Sequence, residues 1–153
     1  MPRVSDQAHP TASVREDIVS NRPSPAAVRV FSMVNGLTLL GVLLQAVWAG
    51  QFIDRAGRAP WITVHEITGF VVVVLSLLTA LVAIALLRRA NPALTWGAVG
   101  QFLLIVIQTG LGEAISKAGA DNLIVSHVPI AMLIFGLGIY LSIAGARLRR
   151  AGA

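Results

Sequence analysis

Four stretches of this chain each run for more than twenty residues without a charged side chain. Arg29 and Asp54 enclose 24 such residues, Glu66 and Arg88 enclose 21, Arg89 and Glu113 enclose 23, and Asp121 and Arg147 enclose 25. About 20 apolar residues, rising 1.5 Å each, span the hydrocarbon core of a bilayer. A soluble helical bundle would need a polar face on every helix. Val71-Val72-Val73-Val74-Leu75 and Leu103-Leu104-Ile105-Val106-Ile107 have none. The pattern therefore predicts an all-α membrane protein: four transmembrane helices in an up-down-up-down bundle, the antiparallel order that short loops impose. With 56% hydrophobic and 12% charged residues, against about 25% charged in ordinary soluble domains, the composition agrees.

The basic residues set the expected orientation. Arg3, Arg15, Arg22 and Arg29 precede the first span, Arg88 and Arg89 separate the second and third, and Arg147, Arg149 and Arg150 follow the fourth. Arg55, Arg58 and Lys117 fall on the other side. The crowded side is expected in the cytoplasm, which places both termini there and makes the chain a multi-pass protein of a bacterial inner (plasma) membrane. A net charge of +5 does not point to nucleic acid, because the arginines cap apolar runs. The partner implied is the lipid bilayer. Without cysteine, the chain has no disulfide, no iron–sulfur cluster and no covalent c-type haem.

Three regions are expected. Residues 1–27 read as a disordered cytoplasmic tail, rich in Pro, Ser and charge and lacking the apolar core of a cleaved signal. Residues 28–147 form the transmembrane domain, and 148–153 a basic cytoplasmic tail. Within the domain, spans near Val30–Ile53 and Trp61–Leu87 flank an outer loop at Asp54–Pro60. Asn91-Pro92 opens the third span, which ends near Gly112. Glu113 and Lys117, four apart, are placed to pair on a helical extension. The fourth span ends near Ala146.

The two halves resemble each other. Gln45, Gly50 and His65 in the first match Gln108, Gly112 and His127 in the second, with Gln-to-His spacings of 20 and 19 residues. A parallel two-helix repeat implies a pseudo-twofold axis along the membrane normal. That axis sets His65 and His127 at one depth, near the outer ends of the second and fourth spans, where they could face each other across the bundle. Haem offers one axial site on each face of its ring, so His65 and His127 are candidate metal ligands of a haem. Gly69, one turn below His65, would clear space for the ring edge, and Arg55, Arg58 and Lys117 are candidate propionate partners. Each imidazole would also need an acceptor for its second N–H, and Glu66, Thr63, Thr68 and Ser126 are near in sequence. The plainer alternative makes each histidine an interfacial polar group at a helix end. Gln45 and Gln108 are read as interhelical hydrogen-bonders, with each other as one possible pairing, and contact with a quinone or the cofactor is the functional alternative. Trp48, Trp61 and Trp96 are read as interfacial anchors. Pro129 would either start or kink the regular part of its helix.

The segment Phe102-Leu103-Leu104-Ile105-Val106-Ile107-Gln108-Thr109-Gly110-Leu111-Gly112, followed after an outer segment by Ser126-His127-Val128-Pro129-Ile130-Ala131-Met132-Leu133, resembles the third and fourth helices of one half of haem A synthase. Val64-His65-Glu66-Ile67-Thr68-Gly69 resembles the ligand-bearing second helix of that half. The likeness covers about residues 30–146, and the chain also looks like small four-span actinobacterial membrane proteins. The resemblance implies His65 and His127 as the axial pair. In the catalytic half of that family a glutamate lies three residues before the second-helix histidine. Here that residue is Ile62, and the cysteine pair often found in the first outer loop is missing. The match is therefore closer to the half that holds b-type haem.

The expectation is a bis-His b-type haem protein, for electron transfer or as the haem-bearing subunit of a larger respiratory or redox membrane complex, or as a homodimer. Two alternatives remain. One is a cofactor-free accessory subunit packing against a larger complex through Gly36, Gly41 and Gly145. The other is a haem-modifying enzyme resembling haem A synthase.

Overall fold

The computed structural model describes residues 23–52 and 59–151, and these form four long helices. They are α1 (Pro25–Phe52), α2 (Ala59–Leu86), α3 (Pro92–Ala118) and α4 (Ile124–Ala151), with a 3₁₀ turn at Asp121–Leu123 before α4. Helices of 27 or 28 residues are about 40 Å long, enough to cross the roughly 30 Å hydrocarbon layer and emerge on both sides. All four are long and apolar enough to span a membrane, and only 17 to 28% of each apolar window is buried within the chain. The remaining surface carries Leu37, Leu40, Phe70, Leu81, Met132 and Leu133 outward. Such a surface requires lipid as its solvent. The chain is thus a multi-pass membrane protein with the four-helix bundle its sequence predicts.

Local sequence sets the helix ends. Ser24 caps α1, its hydroxyl accepting from the Ala27 N–H at 3.1 Å, and Pro25 occupies the first helical position, where its missing N–H is harmless. The helix therefore starts three residues before the expected domain boundary at 28, while residues 1–22 of the expected tail lie outside the described residues. Asn91 caps α3 in the same way, accepting from the Leu94 N–H at 3.0 Å, with Pro92 behind it. At the other end of α3, Gly119 adopts φ 67°, a left-handed conformation open to glycine at little cost. The Ala120 N–H then reaches back to the Ala114 carbonyl at 3.2 Å. The helical extension exists, and Lys117 pairs there with Glu113 at 2.9 Å. At the far end α4 runs on through Ala151, so most of the expected basic tail is helix. Pro129 lies inside α4, five residues past its start.

Each helix packs on its sequence neighbour, and α1 also packs on α4, which closes a ring. The diagonal pairs are α1 with α3 and α2 with α4. The core is strongly asymmetric. Ala27, Val28, Phe31, Ala83, Leu87, Leu94, Ala98 and Leu141 form one buried cluster at the end that carries the arginines. Val72, Ile105 and Ile134 form a smaller one midway. Beyond Thr38, Val72, Ile105 and Ile134, no described residue toward the histidine end is fully buried. Inward positions there, including Gln45, Trp48, His65, Gln108 and His127, are only half-buried.

Small residues permit close approach between neighbours. A Cβ on Gly41 would stand 2.6 Å from Cγ2 of Val72 on α2, and one on Gly145 would stand 3.0 Å from Oγ of Ser32 on α1. Both glycines, read from sequence as contacts for a partner complex, are used inside the bundle. The Cβ position of Gly36 meets nothing within 4 Å. Thr38 and Thr79 join α1 to α2 through their hydroxyls at 3.1 Å. Each hydroxyl also bonds its own helix, Thr38 to the Val34 carbonyl and Thr79 to the Leu75 carbonyl. Because a backbone partner survives when either threonine becomes valine, Thr38→Val or Thr79→Val is expected to cost under about 1 kcal/mol, the usual scale for intramembrane hydrogen bonds. Equilibrium unfolding in mixed detergent would measure it, and a loss several times larger would show the pair to be structurally critical.

Candidate functional site

His65 lies in the second turn of α2 and His127 in the first turn of α4. Both helices run in the same direction, so the two side chains share one end of the bundle, and their helices are diagonal in the ring. Packed neighbours have axes 8–10 Å apart, which sets diagonal axes roughly 11–14 Å apart. Side chains projecting inward from diagonal helices can meet near the bundle axis.

Each ring rests on the helix before its own. Phe52 of α1 stacks edge-on against His65, with centroids 5.4 Å apart and planes at 80°, and the backbone of Gln45 comes within hydrogen-bonding reach of the same ring. On the opposite side of the bundle, Cε1 of His127 lies 3.3 Å from the position of a Cβ on Gly112 of α3. Any larger residue at 112 would push the ring. Nδ1 of both histidines is buried with no hydrogen-bond partner among the described residues.

The glutamines brace the same level. Gln45 Nε2 donates to Thr68 Oγ1 at 2.6 Å, tying α1 to α2. Gln108 Nε2 donates to the His127 carbonyl at 2.9 Å, tying α3 to α4. Both make interhelical bonds, but not with each other, because they sit on diagonal helices and each finds an acceptor next door. The two contacts occupy corresponding places in the two halves, in keeping with the repeat. Replacing Gln108 by leucine removes one bond and is expected to lower unfolding stability by about 0.6–2 kcal/mol. An unchanged unfolding midpoint would mean that the bond carries no load.

The remaining candidates are placed less centrally. Gly69 does not face open space, since the Gln45 amide covers it, with Oε1 3.7 Å from a Cβ position there. Lys117 stands on exposed α3, five residues past Gly112 and paired with Glu113. Arg55 and Arg58 lie outside the described residues. Of the candidate acceptors for the second imidazole N–H, Thr68 is committed to Gln45 and to its own helix. Thr63 bonds the Ala59 carbonyl, and Glu66 accepts from Ser116 Oγ at 3.3 Å. Ser126 is exposed. Trp48 and Trp61 stack at 5.6 Å near the C-terminal end of α1 and the N-terminal end of α2.

His65 and His127 thus stand at one end of two diagonal helices, each with a buried Nδ1 unpaired among the described residues. No cluster of three or more His, Asp or Glu side chains able to hold a metal ion occurs among the described residues. This excludes a multi-carboxylate metal centre among them but not a two-histidine one. Comparison with protein-family models, curated proteins and solved structures finds no match.

Proposed function

We propose that this chain is a bis-His b-type haem protein of the bacterial inner membrane, with both termini cytoplasmic, serving electron transfer alone or as the haem-bearing subunit of a larger redox complex. The observation that carries the reading is that His65 and His127 stand at the same end of two diagonal helices, each with a buried Nδ1 that has no hydrogen-bond partner among the described residues, where no described side chain is fully buried. Unpaired buried polar groups carry their full desolvation penalty, and ligation of a shared group would remove two at once.

Haem b, when bound, supplies a one-electron couple and two axial positions. The chain's own groups do the rest. His65 is held by Phe52 and the Gln45 backbone. His127 is held by the absence of a side chain at Gly112 and by Gln108 on its carbonyl. The surrounding apolar helices exclude water and keep the dielectric low. With His65 and His127 both given to the group, it would supply one-electron exchange rather than oxygen activation. Glu66, the carboxylate beside His65 in sequence, is spent on Ser116, and residue 62 is isoleucine, so the haem-modifying alternative lacks a carboxylate at the position its resemblance requires. The orientation rests on the arginines at the opposite end: Arg29, Arg88, Arg89, Arg147, Arg149 and Arg150.

The test is a visible spectrum of detergent-purified protein from haem-replete cells. A low-spin bis-His spectrum with a reducible α-band is expected. A colourless preparation overturns the proposal and leaves the accessory-subunit reading.

A further inference from the structure

Midway down the bundle, below the imidazoles, Asn35, Thr38, Ser76, Thr79 and Gln101 are all buried to 1% exposure or less. Most of their polar atoms are spoken for. Thr38 and Thr79 bond each other, and Ser76 bonds the Val73 carbonyl. Asn35 Nδ2 donates to the Gly138 carbonyl at 3.3 Å and to Ser142 Oγ at 2.9 Å. Three atoms are not: Asn35 Oδ1 and both amide atoms of Gln101 have no partner among the described residues. Asn35 on α1 and Gln101 on α3 belong to the other diagonal of the ring, yet both converge on Gly138 of α4. Gln101 Nε2 lies 2.8 Å from the position of a Cβ on that glycine.

The unmet capacity comprises one amide donor group and two carbonyl acceptors. A direct Gln101–Asn35 bond would pair the donor and Oδ1 but leave Gln101 Oε1 bare in an apolar interior. A cation would find two amide oxygens, no carboxylate among the five residues of this layer and a facing N–H₂ group, and burying a charge there without a counter-charge is prohibitive. A neutral molecule that both donates and accepts meets all three atoms, and buried water typically makes about three such bonds.

We infer that Gln101 and Asn35, seated over Gly138, bind internal water at mid-membrane depth and so bridge α1 to α3 across the bundle axis. This brace crosses the diagonal left free by the histidines, at a different depth, and it does not depend on haem.

Water-to-amide dipolar transfer, measured by NMR on the full chain in micelles with exchange separated by sign, tests this directly. A cross-peak from water to the Gln101 side-chain N–H₂ is expected in the wild-type chain and lost in Gly138→Ala, whose methyl would stand 2.8 Å from Gln101 Nε2 and 3.0 Å from Leu39 Cδ1 and so push the amide off its seat. No wild-type cross-peak overturns the proposal, as does its persistence in Gly138→Ala. A saturable shift of the Gln101 amide with sodium or potassium would mean an ion in place of water, and also overturns it. The wild-type experiments decide the matter even if the variant fails to fold.

Discussion

His65→Ala and His127→Ala are each expected, on the proposed haem reading, to abolish the low-spin bis-His spectrum. One imidazole at most would then remain to hold the group, as a single histidine can, so the low-spin spectrum would be lost whether or not haem stays bound. Neither substitution should unfold the chain. Both histidines are only half-buried, and both lie outside the two buried clusters. Helix content by far-UV circular dichroism should therefore match the wild-type value while the α-band disappears. If either variant keeps a low-spin spectrum, that histidine is not a ligand. If both keep it, the site lies elsewhere. A graded companion is Gly112→Ala, whose methyl would press on His127 Cε1 from 3.3 Å. It should retain haem with a displaced band or an altered reduction potential.

The second large effect is mechanical. Gly41→Ala would place a methyl 2.6 Å from Val72 Cγ2, well inside contact distance. Val72 is buried, and its β-branched side chain has little freedom to turn away inside a helix. The strain must therefore be taken up by moving α1 off α2. Overpacking of this kind costs about 1–3 kcal/mol, visible as a lowered unfolding midpoint in detergent. Gly36→Ala, one and a half turns away on the same helix with nothing within 4 Å, is the control. It should be neutral or slightly stabilising, since alanine is the better helix former. Equal effects at the two positions would show that helix propensity, not packing, governs this part of α1.

The architecture was legible because bilayer physics leaves few options. Long uncharged runs must be spanning helices, since every backbone polar group has to be satisfied internally in lipid. The caps were partly legible as well, Asn91-Pro92 more clearly than Ser24-Pro25. Helix rotation was not. In a soluble bundle the apolar stripe marks the buried face, but here lipid-facing and core-facing positions are equally apolar, so the 3.6-residue pattern carries little information. For this reason Gly41 and Gly145 resembled outward contact residues, Gly69 resembled an open slot, and Gln45 and Gln108 were possible partners. Gln101, uncharged within an apolar run, carries no sequence signal of its burial.

Length, charge and spacing act along the chain, so four membrane-spanning runs and their alternation can be read from the residues alone. Which helices are diagonal, which side chains turn inward and which buried polar atoms go unpaired emerges only once the helices pack. Those depend on how helices rotate against one another, and in a membrane that rotation is set by close contacts at small residues and a few interhelical hydrogen bonds, not by the hydrophobic pattern.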